Sequence, residues 1–152
     1  MKPTNFKISK AQPRHLDRIM DIENSVFSEP WSRGQFEAKM TDESAVFFVA
    51  EKGGKVLGYA VAQLFLDEGE IYNIAVAPNV RQRHIGTALM RYIMNYGKND
   101  GVRRFHLEVR AGNLPAIRMY WKNGFGAVGI RKGYYRNPEE DAILMTYKEE
   151  SK

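Results

Sequence analysis

The sequence predicts an α/β (α+β) domain in which helices flank one central mixed sheet. Three observations carry that expectation. Short runs rich in β-branched and aromatic residues alternate with amphipathic helical periods along the chain. A Gly53-Gly54 pair joins two of these runs directly, the mark of an antiparallel hairpin. A long helical period separates two later strands, which implies some parallel pairing as well.

The elements follow in order. Residues 6–9 form a short strand. Pro13 opens a helix whose apolar residues Leu16, Ile19, Met20 and Ile22 recur at helical spacing. Ser32-Arg33-Gly34-Gln35 reads as a capping box that opens a second helix. An aromatic loop, Phe27-Ser28-Glu29-Pro30-Trp31, lies between the two. Residues 46–51 and 55–64 are the hairpin strands, and residues 70–76 are a third strand that Pro78 stops. A long helix then places Ile85, Leu89, Tyr92, Ile93 and Tyr96 on its apolar face and ends at Gly101. In the strand at 104–110, Phe105, Leu107 and Val109 point one way, while His106 and Glu108 point the other. Asn113 caps a helix at 114–123, with Pro115 in its first turn and Gly124 at its end. The last strands, 125–131 and 142–147, are separated by Gly133-Tyr134-Tyr135-Arg136-Asn137-Pro138.

At 152 residues the chain fits one domain, expected over 5–149 with short tails at 1–4 and 150–152. A hydrophobic fraction of 43% argues against disorder. The absence of cysteine excludes disulfides, thiolate metal sites and a cysteine nucleophile. No apolar run approaches the roughly 20 residues that span a bilayer, and the N-terminus has no apolar signal core. The expectation is a cytoplasmic protein with no membrane partner. The net charge of +5 suits phosphate-bearing ligands or simply a solvated basic surface. No basic run is dense enough, or interleaved enough with aromatics, to signal a nucleic-acid module, so no nucleic-acid binding is required. His15, His84 and His106 match no ligand spacing, and no metal is expected.

The most informative stretch runs from Asn73 through Ile74-Ala75-Val76 and a basic turn, Arg81-Gln82-Arg83-His84-Ile85-Gly86, into Thr87 and the long helix. A helix N-terminus offers unpaired N–H groups and partial positive charge, a ready seat for a pyrophosphate. Gly86 would let a phosphate approach the backbone closely. Taken alone, such a turn reads more readily as a basic helix cap.

This segment resembles the coenzyme A motif of the GNAT superfamily of N-acetyltransferases, Q/R-x-x-G-x-G/A. Arg81 and Gly86 match its ends; His84 departs from it, standing where the motif has its first glycine. The resemblance covers nearly the whole chain. Glu29-Pro30-Trp31-Ser32, Leu107-Glu108-Val109-Arg110, Asn113, Ala116-Ile117-Arg118-Met119-Tyr120, Gly124-Phe125 and Gly133-Tyr134-Tyr135 resemble the RimI-type and archaeal protein N-terminal acetyltransferases. The resemblance implies a single-domain GNAT fold with a mostly antiparallel sheet and two splayed strands. It implies acetyl-coenzyme A (acetyl-CoA) as cosubstrate and the N-terminal amine of a protein, such as a ribosomal protein, as acceptor. An auxiliary subunit stays open.

Residue by residue, the resemblance implies Glu108 as the base and Tyr120 as the acid beside the coenzyme A sulfur. Chemistry asks for both: a protonated α-amine cannot attack, and a thiolate leaves better with a proton. Ile74, Ala75 and Val76 would hold the pantetheine arm through backbone groups, with Asn113 and Tyr120. Gln82, Arg83, His84, Ile85, Gly86 and Thr87 would cradle the pyrophosphate. Glu29, Trp31, Tyr134 and Tyr135 would border the peptide, with Glu29 as a second base or a grip on the ammonium. Structural roles stay open for each: an ion pair for Glu108, core packing for Tyr120, capping for Asn113. Two other functions also stay open, a GNAT acting on lysine side chains or small amines, and a coenzyme A-binding module without turnover.

Overall fold

The structure is a computed structural model and describes residues 5–149, except the side chains of Arg81, Gln82 and Arg83. Seven strands form one sheet: β1 (Lys7–Lys10), β2 (Ala45–Lys52), β3 (Lys55–Phe65), β4 (Glu68–Val76), β5 (Arg104–Arg110), β6 (Gly126–Tyr135) and β7 (Glu140–Lys148). Their spatial order is β1-β2-β3-β4-β5-β7-β6. Every neighbouring pair is antiparallel except β4 and β5, which run parallel. The helices are α1 (Leu16–Val26), α2 (Arg33–Thr41), α3 (Ile85–Asn99) and α4 (Leu114–Lys122), and α3 is the crossover between the parallel strands.

β2 and β3 read as continuous apolar runs because both their faces are covered. Successive side chains of β2 show it. Phe47 meets Phe36 of α2, at 5.6 Å between ring centroids, while Phe48 meets Tyr92 of α3 at 4.8 Å. Tyr59 of β3 lies on the α1–α2 side, fully buried against Phe36. The hairpin between β2 and β3 turns on Gly53 and Gly54, both at positive φ, where other residues are strained.

Local chemistry explains two of the helix starts. Ser32 and Gln35 form the reciprocal capping box of α2, and the Asn113 side chain accepts from the Ala116 N–H to cap α4. A short 3-10 turn, Pro13–His15, precedes α1, so Pro13 opens the region while the α-helix itself begins at Leu16.

Two expectations are corrected. Tyr92 and Tyr96 of α3 are 41% and 48% exposed; the buried stripe is Ile85, Leu89, Met90, Ile93, Met94 and Gly97. The tyrosines lie across Phe48 at the rim, their rings on apolar surface and their hydroxyls toward water. The segment from Gly133 to Tyr135 belongs to β6 and not to a connection: Tyr135 pairs with Glu140, past a register shift between Arg131 and Tyr135.

The α3–β5 contact leaves no space at Gly97. A Cβ there would stand 2.7 Å from Phe105 Cζ, and Phe105 is fully buried and cannot withdraw. Alanine gains about 1 kcal/mol in helix propensity over glycine. Overpacking costs about 1–3 kcal/mol, and a fixed ring puts this site at the upper end. Gly97→Ala is therefore expected to destabilise the protein by about 1–2 kcal/mol net, read as a lower urea midpoint with unchanged slope.

Candidate active site

β4 and β5 are bonded at Glu68–Arg104, Gly69–Phe105 and Glu70–His106, and the ladder stops there. β4 continues to Val76 and β5 to Arg110. Beyond that point each strand keeps only its other neighbour: β4 stays paired to β3 as far as Val76, and β5 to β7 as far as Arg110. A bulge adds to this, since Tyr72 is an extra residue of β4 between the pairs Val61–Asn73 and Ala62–Ile71. The parting opens a cleft of about 940 Å³.

One arm of the cleft is lined by Ile74, Ala75 and Val76 of β4, and by His84, Gly86 and Thr87 at the start of α3. Asn113, Met119 and Tyr120 close it from the α4 side. The α3 N-terminus has no side-chain cap, unlike those of α2 and α4. His84 sits in the left-handed region, φ 58°, ψ 24°. Glycine adopts that conformation without strain, which accounts for a glycine at this place in the coenzyme A motif. A Cβ added to Gly86 would meet only Met119 Sδ at 3.5 Å and Val76 Cγ2 at 3.6 Å, ordinary contacts. The protein itself thus tolerates a methyl group there, and what a methyl would occupy is cleft. The Ile85 side chain is in the core, so only its backbone is open to a ligand. The side chains of Gln82 and Arg83 lie outside the described residues.

Tyr120 is 8% exposed and packs on Phe125 at 5.8 Å. Its hydroxyl lines the cleft without a hydrogen-bond partner among the described residues. Desolvation raises its pKa well above the ordinary phenol value, so the hydroxyl keeps its proton at neutral pH.

The other arm is lined by Phe27, Glu29 and Trp31 from the α1–α2 loop, Glu70 and Tyr72 of β4, Glu108 of β5, and Tyr134 and Tyr135 of β6. Glu108 is partly buried, ion-paired to Arg131 Nε at 2.8 Å, and accepts a hydrogen bond from the Tyr134 hydroxyl. That bond, with some desolvation, raises the Tyr134 pKa; burial, with the Glu108 charge, pushes Tyr135 up to about 12. The two tyrosine rings meet edge to face at 5.0 Å. Trp31 stacks obliquely on Phe36 and Tyr72.

Glu29 is not held out into the cleft as an isolated carboxylate. It accepts from the Arg136 backbone N–H at 2.7 Å and lies 3.3 Å from Arg110 Nη2. Arg110 also donates to Ser28 Oγ, Glu140 and the carbonyls of Arg136 and Pro138, and its guanidinium covers the Tyr135 ring at 4.5 Å. One side chain thus fastens the α1–α2 loop to the β6–β7 turn across the end of β5.

Glu23 was missed by sequence reasoning. It completes the buried face of α1 beside Ile19 and Ile22, so a carboxylate inside an apolar stripe was the available signal. It is 1% exposed at the inner end of the cleft. Asn73 Nδ2 donates to both its oxygens, at 3.0 and 3.1 Å, and the Tyr59 hydroxyl and the Trp31 N–H donate as well. Burial outweighs these donors and raises its pKa above the ordinary carboxylate value. Among the described residues, no group of three or more His, Cys, Asp or Glu is placed to hold a metal ion, and no helix is long and apolar enough to cross a membrane.

Glu23→Gln turns a donor-only shell against an amide NH2, and is expected to cost about 1–3 kcal/mol at neutral pH. The pH dependence has a defined sign. With its folded pKa raised, Glu23 binds more protons folded than unfolded, so its contribution is greatest below the ordinary carboxylate pKa and declines as pH rises through the raised value. The stability gap between the wild type and Glu23→Gln should therefore narrow as pH rises from 4.5, measured by urea denaturation at fixed ionic strength.

Comparison with known proteins agrees with this geometry. The model of the acetyltransferase (GNAT) family matches residues 16–125. A [ribosomal protein bS18]-alanine N-acetyltransferase of Escherichia coli (strain K12) is 35% identical over 140 residues, 91% of this chain and 94% of that one. An N-alpha-acetyltransferase of Sulfurisphaera tokodaii is 32% identical over 157 residues, 95% of this chain and 93% of that one. The crystal structure of the ribosomal-protein-S18-alanine N-acetyltransferase from Escherichia coli superposes with a TM-score of 0.89, at 32% identity and 97% coverage of each chain. With its uncapped helix at the foot of two parting strands, this chain belongs to the acetyltransferase (GNAT) family.

Proposed function

We propose that the protein transfers the acetyl group of acetyl-CoA to the N-terminal amine of a protein, a ribosomal protein N-terminus among its candidate acceptors. The observation that carries this is one cleft that joins an uncapped helix N-terminus to a wall of aromatic and acidic side chains. The relatives with bS18-alanine and N-alpha acetyltransferase names support the choice of an α-amine. The loops that Arg110 fastens beside the acceptor arm favour a chain end over a bulky lysine-bearing surface, since both contribute walls to the same cleft.

In this reading, exposed amides of α3 receive the pyrophosphate, and the backbone of Ile74 to Val76 holds the pantetheine arm and the thioester oxygen. Glu108 takes the proton from the acceptor ammonium, directly or through a water, and leaves a nucleophilic amine. The amine nitrogen bonds to the acetyl carbon, the carbon–sulfur bond breaks, and Tyr120 gives its proton to the departing thiolate. The acetylated nitrogen sheds its second proton to water, and the Tyr120 phenolate takes one back from water to complete the cycle. Tyr134 orients Glu108. Asn113, whose Oδ1 accepts one N–H as helix cap, keeps its amide NH2 to donate to the pantetheine arm.

A peptide panel tests the acceptor. Acetylation of peptides with free N-termini, and none of N-terminally blocked peptides that carry a lysine, is the expected pattern; the reverse would falsify the α-amine assignment. Glu108→Gln and Tyr120→Phe should each lower kcat about 10²-fold or more, with the Kd for acetyl-CoA little changed. Full activity in both variants would remove Glu108 and Tyr120 from the chemistry, whereas acetyl-CoA binding without turnover in the wild type would leave a binding module as the better description.

Gly86→Ala separates fold from cofactor. The variant should be as stable as the wild type or up to about 1 kcal/mol more stable, because alanine is the better helix former and meets no clash. Its Kd for acetyl-CoA should rise about five- to a hundredfold, the equivalent of 1–3 kcal/mol of overpacking at the phosphate seat. An unchanged Kd by calorimetry would move the phosphates elsewhere.

A further inference from the structure

Five glutamates line the cleft: Glu23, Glu29, Glu70, Glu108 and Glu140. Four are occupied. Glu23 has its shell of donors, Glu29 and Glu140 share Arg110, and Glu108 holds Arg131. Glu70 alone is exposed without a hydrogen bond or ion pair among the described residues. Its register partner, His106, does not neutralise it: Nε2 is on Glu68 at 2.6 Å and Nδ1 on Thr146 at 2.9 Å.

Glu70 occupies the last paired position before β4 and β5 part, on the acceptor arm. Tyr72 of β4 and Tyr134 of β6 line the same cleft as Glu70. The chain shows beside it how such walls treat a cation. Arg131 pairs with Glu108 while its guanidinium stands 5.6 Å from the Tyr134 ring, and Lys39 Nζ stands 4.9 Å from the Tyr72 ring. Glu70 presents the same kind of pairing surface with no cation of its own.

Position follows from strand geometry. Glu108 lies two residues beyond His106, so ordinary strand spacing puts its backbone about 8 Å from that of Glu70. An amine delivered to Glu108 brings the side chain of the next residue, one extended step away, within reach of Glu70. We propose that Glu70 is a specificity residue that takes a cationic side chain, lysine or arginine, at the second position of the acceptor peptide. This rests on the N-terminal acetyltransferase reading above.

The experiment is steady-state kinetics on four peptides that share a free N-terminal alanine and a neutral remainder, and differ only in arginine, lysine, alanine or glutamate at the second position. The wild type should favour arginine and lysine over alanine about two- to fivefold in kcat/KM, through KM, with glutamate last. The preference should shrink as salt rises. Glu70→Gln should bring the ratio close to one, and Glu70→Lys should place the glutamate peptide first. Thermal denaturation of both variants confirms that they are folded. Equal use of all four peptides by the wild type overturns the inference, as does a preference that survives Glu70→Gln. A uniform loss across all peptides in Glu70→Gln also overturns it, because Glu70 would then be holding the α-ammonium. If the wild type acetylates none of them, the proposed function itself falls; acetylation without preference sinks this inference alone.

Discussion

The break in the β4–β5 ladder after Glu70 and His106 is the constraint from which the site follows. Backbone N–H and C=O groups inside a protein need partners, and a strand that leaves its neighbour must find others or expose them. Here the two strands keep their outer partners and give up each other. A cleft results, in the middle of an otherwise continuous sheet. A parallel pair needs a crossover, so the same two strands bring α3 with them, and its N-terminus arrives at the mouth of the gap. Strand parting and helix dipole are consequences of one connection, which is why the uncapped α3 N-terminus and the gap between the strands line the same cleft.

The acceptor side depends on charge held at two depths. Deep in the fold, Glu23 joins α1, the α1–α2 loop and β4 through Trp31, Tyr59 and Asn73. A buried carboxylate with its donors removed would be costly, so the loop, the strand and the helix are fixed relative to one another. At the surface, Arg110 does the same for the two loops that cover the groove. Arginine suits the task because its planar fork serves several acceptors and an aromatic face at once. The groove is therefore shaped before any acceptor arrives, and less ordering entropy opposes binding.

Where a residue's role is local, the sequence was readable. The capping box at Ser32, the Gly53-Gly54 turn and the Asn113 cap are decided within four residues of chain, and all appear where the pattern puts them. The mixed sheet was legible in the alternation of strand runs and helical periods, whereas its parted strands became legible only through the resemblance of the 73–90 segment to a known motif. Roles that depend on distant partners stayed hidden. Glu23 meets Asn73 across fifty positions, and Arg110 meets Ser28 across more. Nothing near Arg110 in the sequence marks it as a fastener. Tyr92 and Tyr96 misled for another reason: a tyrosine counts as apolar in a helical period, yet a rim position keeps its hydroxyl in water. His84 was visible as a departure, but only its positive φ explains what the departure costs.

The two groups proposed for proton transfer are set in opposite surroundings. Tyr120 is enclosed by α4 and Phe125, and desolvation keeps its hydroxyl protonated. Glu108 sits where the strands part, paired with an arginine that is itself 58% exposed. Such a pair is held weakly, because water competes for the guanidinium. An ammonium entering the acceptor arm can therefore share the carboxylate without first breaking a buried ion pair. Sites that separate a proton acceptor from a proton donor do so by making one wet and charged and the other dry and neutral. Here that difference comes from topology: β5 carries Glu108 to the open edge of the cleft, while α4 carries Tyr120 to its covered end.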